Sequence, residues 1–132
     1  KMEFGFDTEI KNTDYNSLNG IYKKHCGFDN IEMTFSHDYY LHEVLYKSCT
    51  NLPNEALYIV RYHSFYAWHT PRNGIRGYTN LASERDWKNL PLLKLFQTAD
   101  LYSKTDTLPN IKNLEPYYNN LICKYIADVL YF

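Results

Sequence analysis

Three side chains stand out for the chemistry they can do together. His37 opens the stretch SHDYYLHEVLY, His63 lies in RYHSFYAWHT, and Asp100 lies in ADLYSK. Imidazole and carboxylate are ligand types for iron, manganese or zinc. All-α proteins build metal sites from such groups on facing helices. Each residue also has a plainer reading. His63 shares a helical face with Ala56, Val60 and Ala67, where a hydrogen-bonded core histidine is the commoner occupant. His37 followed by Asp38 can be a helix start whose carboxylate meets the positive end of the helix dipole. Asp100 continues the face of Leu93 and Phe96 and stands one turn before Lys104, the spacing of an ordinary ion pair. If buried, it needs a cation or a donor. Residue type and spacing leave both readings open.

Helices must position these residues. Ser36 can cap a first helix, HDYYLHEVLYKS, with Tyr40, Leu41, Val44 and Leu45 on one face. A second helix opens near Pro53 and is expected to run to about Trp68, ahead of Pro71. TPRNGIRGYTN is a loop. Ser83 to Asp86 has the form of a capping box. A short helix should follow, with Pro91 starting another over LLKLFQTADLYSK. A last helix is expected from about Glu115-Pro116, carrying Tyr117, Leu121, Ile122, Tyr125 and Val129. Residues 1–35 read as an irregular, loop-rich arm with turn signals at Asn19-Gly20 and Gly27, and residues 36–132 as a partial helical domain. The expected class is all-α, without repeats or a strand pattern.

Bulk properties exclude several functions. The 132 residues suffice for one domain with a core. A formal net charge of −1 offers no general attraction to nucleic acid or to an anionic membrane. No apolar run reaches the roughly 18 residues of a membrane span. Cys26, Cys49 and Cys123 form neither a CxxC nor a zinc-knuckle spacing. Together with the absence of a glycosylation sequon and a secretory signal, this points to reduced thiols in the cytoplasm or another reducing compartment.

The segments GIYKKHCGFDNI, SHDYYLHEVLY, RYHSFYAWHT, ADLYSK and LEPYYNNLICKYI occur in an order and spacing that resembles the C-terminal part of inositol oxygenases, from about Phe6 onward. The HSFYxWHT pattern is specific; an isolated His-Asp is not. That family has an HD-domain-like helical fold and a di-iron centre that uses O₂ to cleave the ring of myo-inositol to glucuronate. The resemblance implies that His37 and His63 bind one iron and that Asp100 binds the other. It further implies that Ser64 and Lys104 contact the inositol, with Lys104 stabilising an alkoxide catalytically by its charge. It also implies that the aromatics near His63 wall a dry pocket. His69 is expected to hydrogen-bond near the site rather than bind metal, and Arg61 to be a solvated helix charge.

Departures from the family pattern set the alternatives. Tyr39 replaces an acidic residue, Ala67 a proline, and Ala99 an aromatic. The family's site takes six protein ligands. Three of them, a His and an adjacent His-Asp pair whose Asp bridges the irons, belong to an upstream region. No second His-Asp precedes His37. The chain is therefore expected to carry half a site and to pack, through an incomplete helical core, against another protein segment or chain. One reading makes it the C-terminal part of an oxygenase. The other makes it a catalytically inactive truncated relative serving as a structural subunit of a larger assembly. Phosphohydrolase chemistry of the general HD type fits poorly without the bridging Asp.

Overall fold

The computed structural model describes residues 17–48, 50–101, 109–126 and 128–132. Cys49, Lys104 and most of the N-terminal arm's first half lie outside them. Among the described residues there are five α-helices: α1 (His37–Lys47), α2 (Asn54–Tyr62), α3 (Tyr66–His69), α4 (Glu84–Leu101) and α5 (Ile111–Tyr125). A 3-10 turn at Phe28–Asn30 precedes them. Among the described residues there is no strand, only an isolated bridge between Arg72 and Ile75. The all-α expectation holds. No helix among them is long and apolar enough to cross a membrane.

The core is aromatic and lies where α2, α3 and α4 meet the segment before α1. Phe28, Trp68 and Leu93 are fully buried, with Tyr58 and Tyr62 almost so. Phe28 stands edge-on to Trp68, Phe65 and Tyr62 at ring distances of 4.9, 5.2 and 5.9 Å, the arrangement that aligns ring edges with π faces. Buried phenols need partners. Tyr58 donates to Asp86 Oδ1 at 3.1 Å, and Tyr62 to Asp29 Oδ1 at 2.6 Å. Asp86 also starts α4. Its Oδ2 accepts from the Ser83 amide and hydroxyl, while its own amide faces Ser83 Oγ at 3.4 Å. This is the capping box expected from the sequence. The same oxygen accepts the Phe28 amide at 3.3 Å, which ties the N-terminal segment to α4. Gly27 makes the approach possible. It has φ +85°, and a Cβ there would stand 3.2 Å from Ser83 Oγ.

Three helices differ in their bounds from the sequence expectation. α2 stops at Tyr62 instead of running to Trp68, because the His63 carbonyl that would continue the helix is taken by side chains. Gln97 Nε2 reaches it at 2.5 Å and His69 Nε2 at 2.9 Å. α4 runs unbroken through Pro91. An internal proline costs about 3 kcal/mol, but Leu90 and Leu93 on either side are buried in the same core. Each buried leucine contributes roughly 1.5–3 kcal/mol, so burial outweighs the break. α5 begins at Ile111, earlier than Glu115, because the Asn110 side chain caps the Lys112 amide at 3.1 Å, and it ends at Tyr125, short of the expected Val129, where the backbone of Ile126 turns extended.

Candidate metal centre

His37 is the first residue of α1, and His63 is the C-cap that follows α2. α1 and α2 pack together, and the two imidazoles meet at that junction. Their Nε2 atoms lie 3.1 Å apart with the rings near perpendicular. His63 Nδ1 lies 3.0 Å from the Val60 carbonyl. A carbonyl oxygen only accepts, so the proton sits on Nδ1 and Nε2 presents its lone pair. Metal-binding histidines are commonly held this way. Two imidazoles at about 2.0–2.1 Å from one ion, with nitrogens 3.1 Å apart, subtend roughly 95–100° at it. They can therefore fill adjacent positions around a single ion. Imidazole suits iron as it suits zinc.

Besides the Val60 carbonyl of α2, the supports of this pair come from α3 and α4. Gln97 of α4 and His69 of α3 hold the His63 carbonyl, and Phe96 of α4 stands edge-on to the His63 ring at 5.9 Å. His69 is buried. Desolvation holds its pKa below the ordinary imidazole value. Its Nδ1 faces the Thr70 hydroxyl at 3.0 Å. His69 therefore acts through hydrogen bonds, as the sequence suggested.

Asp38 is only 5% exposed and is not a solvated helix-start charge. Burial alone would raise its pKa. Hydrogen bonds from Ser36, Ser64 and the Tyr39 amide more than offset that and hold it below the usual carboxylate value. Ser64 donates to Oδ2 at 2.6 Å, and the Tyr39 amide to Oδ1 at 3.0 Å. Ser36, placed as a cap by sequence, spends its hydroxyl on Asp38 Oδ1 instead. Asp38 and Ser64, with Arg61, Phe65 and Tyr78, line an open cavity of about 390 Å³. Arg61 is buried, with its guanidinium 4.2 Å from the Tyr39 ring centre and 5.2 Å from that of Tyr62. That corrects its reading as a solvated charge, since two aromatic rings stand close to its guanidinium.

Other expectations fare differently. The aromatics near His63 mostly build the core behind it. Trp68 and Phe65 turn toward Phe28, while Tyr66 is exposed against His69. Asp100 is exposed on α4, one turn beyond Phe96 and Gln97. Among the described residues no group of three or more His, Cys, Asp or Glu side chains can hold one ion. The structure thus brings His37 and His63 together, with Ser64 beside them. Lys104 lies outside the described residues. His25 faces the Ala82 carbonyl at 3.0 Å, in a turn of its own.

Asp38 and Gln97 are the site residues that sequence reasoning missed. The only sequence signal was polarity at positions where the helical period predicts burial.

The family described as myo-inositol oxygenase matches residues 1–132. Curated relatives named inositol oxygenase include one from Danio rerio, 45% identical over 121 residues, and one from Rattus norvegicus, 39% identical over 127 residues. Inositol oxygenase 2 from Arabidopsis thaliana is 42% identical over 122 residues. These alignments cover 91%, 96% and 92% of this chain, respectively, but only 42%, 43% and 37% of the relatives. The chain thus spans well under half the length of the relatives it matches.

Proposed function

The chain belongs to the myo-inositol oxygenase family, and from that premise we propose that it carries part of a di-iron site that oxidises myo-inositol to glucuronate. His37 and His63 hold one iron through Nε2. Asp100 serves the second iron, and Ser64 and Lys104 bind the inositol. The observation that carries the reading is the 3.1 Å approach of two Nε2 atoms, with His63 Nδ1 fixed on a backbone carbonyl. When bound, the iron pair supplies the O₂ activation that ring cleavage requires. The chain's own residues do the rest. The packed junction of α1 and α2 orients the imidazoles, and Ser64 presents its oxygen at the cavity wall beside them. Lys104 stabilises negative charge on an inositol oxygen.

Two histidines and one carboxylate are too few for two irons, so the site needs a further protein segment or chain. The surface supports such a partner. No residue of α5 is buried, and Ile111, Tyr118 and Ile122 on it are 77%, 54% and 53% exposed. Exposed apolar side chains grouped on one helix are suited to covering by a protein partner.

That exposed face equally supports the second reading, a structural subunit without catalysis. Complementation separates the two. The 132-residue chain, given Fe²⁺, a reductant, O₂ and myo-inositol, should form no detectable glucuronate alone. Co-expression with the portion of a curated relative that has no counterpart here should restore turnover, and His63→Ala should abolish it. Absence of turnover in a well-formed complex would leave the structural reading.

A further inference from the structure

Asp38 lies beside the two imidazoles without facing them, and its contacts are more than a helix start requires. A first-turn carboxylate that only caps would accept a nearby amide and remain in water. Asp38 does accept the Tyr39 amide, yet it is 5% exposed, and its second oxygen reaches Ser64, which is 26 positions away in sequence. Asp38 follows His37 directly, and Ser64 follows His63 directly. A single 2.6 Å hydrogen bond therefore joins the residues next to both imidazoles. It bridges the N-terminal end of α1 and the C-terminal end of α2, where the backbone of Ser64 has left the helix. A hydrogen bond to a charged group is the strong kind, and this one is part-buried, at the wall of the cavity. Ser36 fixes the other carboxylate oxygen from the residue before His37.

Resting on the metal reading of His37 and His63, we infer that Asp38 is a positioning residue: through Ser64 it clamps the start of α1 to the end of α2, so that the two imidazoles are already set for one ion. Residues that orient metal ligands through hydrogen bonds typically change metal affinity by about 10–100-fold when lost. The clamp acts through the backbone beside each ligand, so the effect belongs at the lower end.

The test is a Zn²⁺ titration of the 132-residue chain, followed by the imidazole nitrogen signals in NMR, with thermal unfolding by circular dichroism for every variant. Zn²⁺ is redox-silent and reports binding without turnover. In the wild-type chain the rings of His37 and His63 should respond together, and His37→Ala or His63→Ala should remove that joint response. Asp38→Asn and Ser64→Ala should each weaken Zn²⁺ binding by about tenfold. The double variant should be no weaker than either single one, because both act on the same contact, Asp38→Asn by removing its charge and Ser64→Ala by removing its donor. Ser64→Thr, which keeps the hydroxyl, should stay within about twofold of wild type. If Asp38→Asn does not fold, the Ser64 pair alone decides the matter. A joint response retained at wild-type affinity in folded Asp38→Asn or Ser64→Ala overturns the clamp and leaves the metal reading standing. Wild-type rings that do not respond to Zn²⁺ overturn both.

Discussion

Replacing Phe28 by alanine tests whether the segment ahead of α1 belongs to the core that carries the site. Phe28 has no exposed surface and touches the rings of Tyr62, Phe65 and Trp68. Truncating a buried phenylalanine costs about 3–5 kcal/mol through lost burial and the cavity left behind. The edge-on ring contacts place this residue toward the upper part of that range, since each adds about 0.5–1.5 kcal/mol beyond burial. The backbone hydrogen bond to Asp86 survives the substitution and limits collapse of the turn. A domain of this size shifts its Tm by roughly 3–5 °C per kcal/mol, so Phe28→Ala should lower Tm by about 10–20 °C. Thermal and urea unfolding followed by far-ultraviolet circular dichroism measure this directly. Leu18→Ala, at a position 88% exposed, should change stability by less than about 0.5 kcal/mol and serves as the control. A loss below about 1 kcal/mol for Phe28→Ala would refute the reasoning. It would show that the segment before α1 lies on the core without supporting it. Phe65, which follows Ser64, packs on Phe28, so the same variant should also loosen the His37–His63 approach.

Two further outcomes are expected. Pro91→Ala should raise stability by about 1–3 kcal/mol in urea unfolding, because it removes an internal proline from a continuous helix at an exposed position; a destabilised variant would contradict the unbroken course of α4. Lys104→Ala, in the complemented enzyme, should lower glucuronate formation by about 10²–10³-fold, the scale of losing one electrostatic stabiliser. Unchanged turnover would remove Lys104 from substrate binding.

What the sequence revealed depended on how local the cause was. The capping box of Ser83 and Asp86 spans four residues, and both the box and the helix it starts were legible. The end of α2 was not legible, because it is made by Gln97, 34 positions away, and by His69 folding back across a turn. Pro91 misled for a related reason. Local propensity argues for a break, and the burial of Leu90 and Leu93 that overrides it is tertiary. The histidine pair shows both sides of this limit. Periodicity alone placed His63 among core residues, and only the likeness of its neighbours to a family motif marked it as a ligand. That likeness carried no hint that Asp38, next to His37, is buried and bonded across to Ser64, since its partner is set by how α1 packs on α2.

The proposed function depends on His37 and His63 holding one iron together. X-ray absorption at the iron edge, on the chain loaded anaerobically with substoichiometric Fe²⁺, counts imidazoles through their ring scattering. Two imidazoles per iron in the wild-type chain, and one in His37→Ala, is the predicted result. A wild-type spectrum with no imidazole at iron, or one unchanged by His37→Ala, would contradict it.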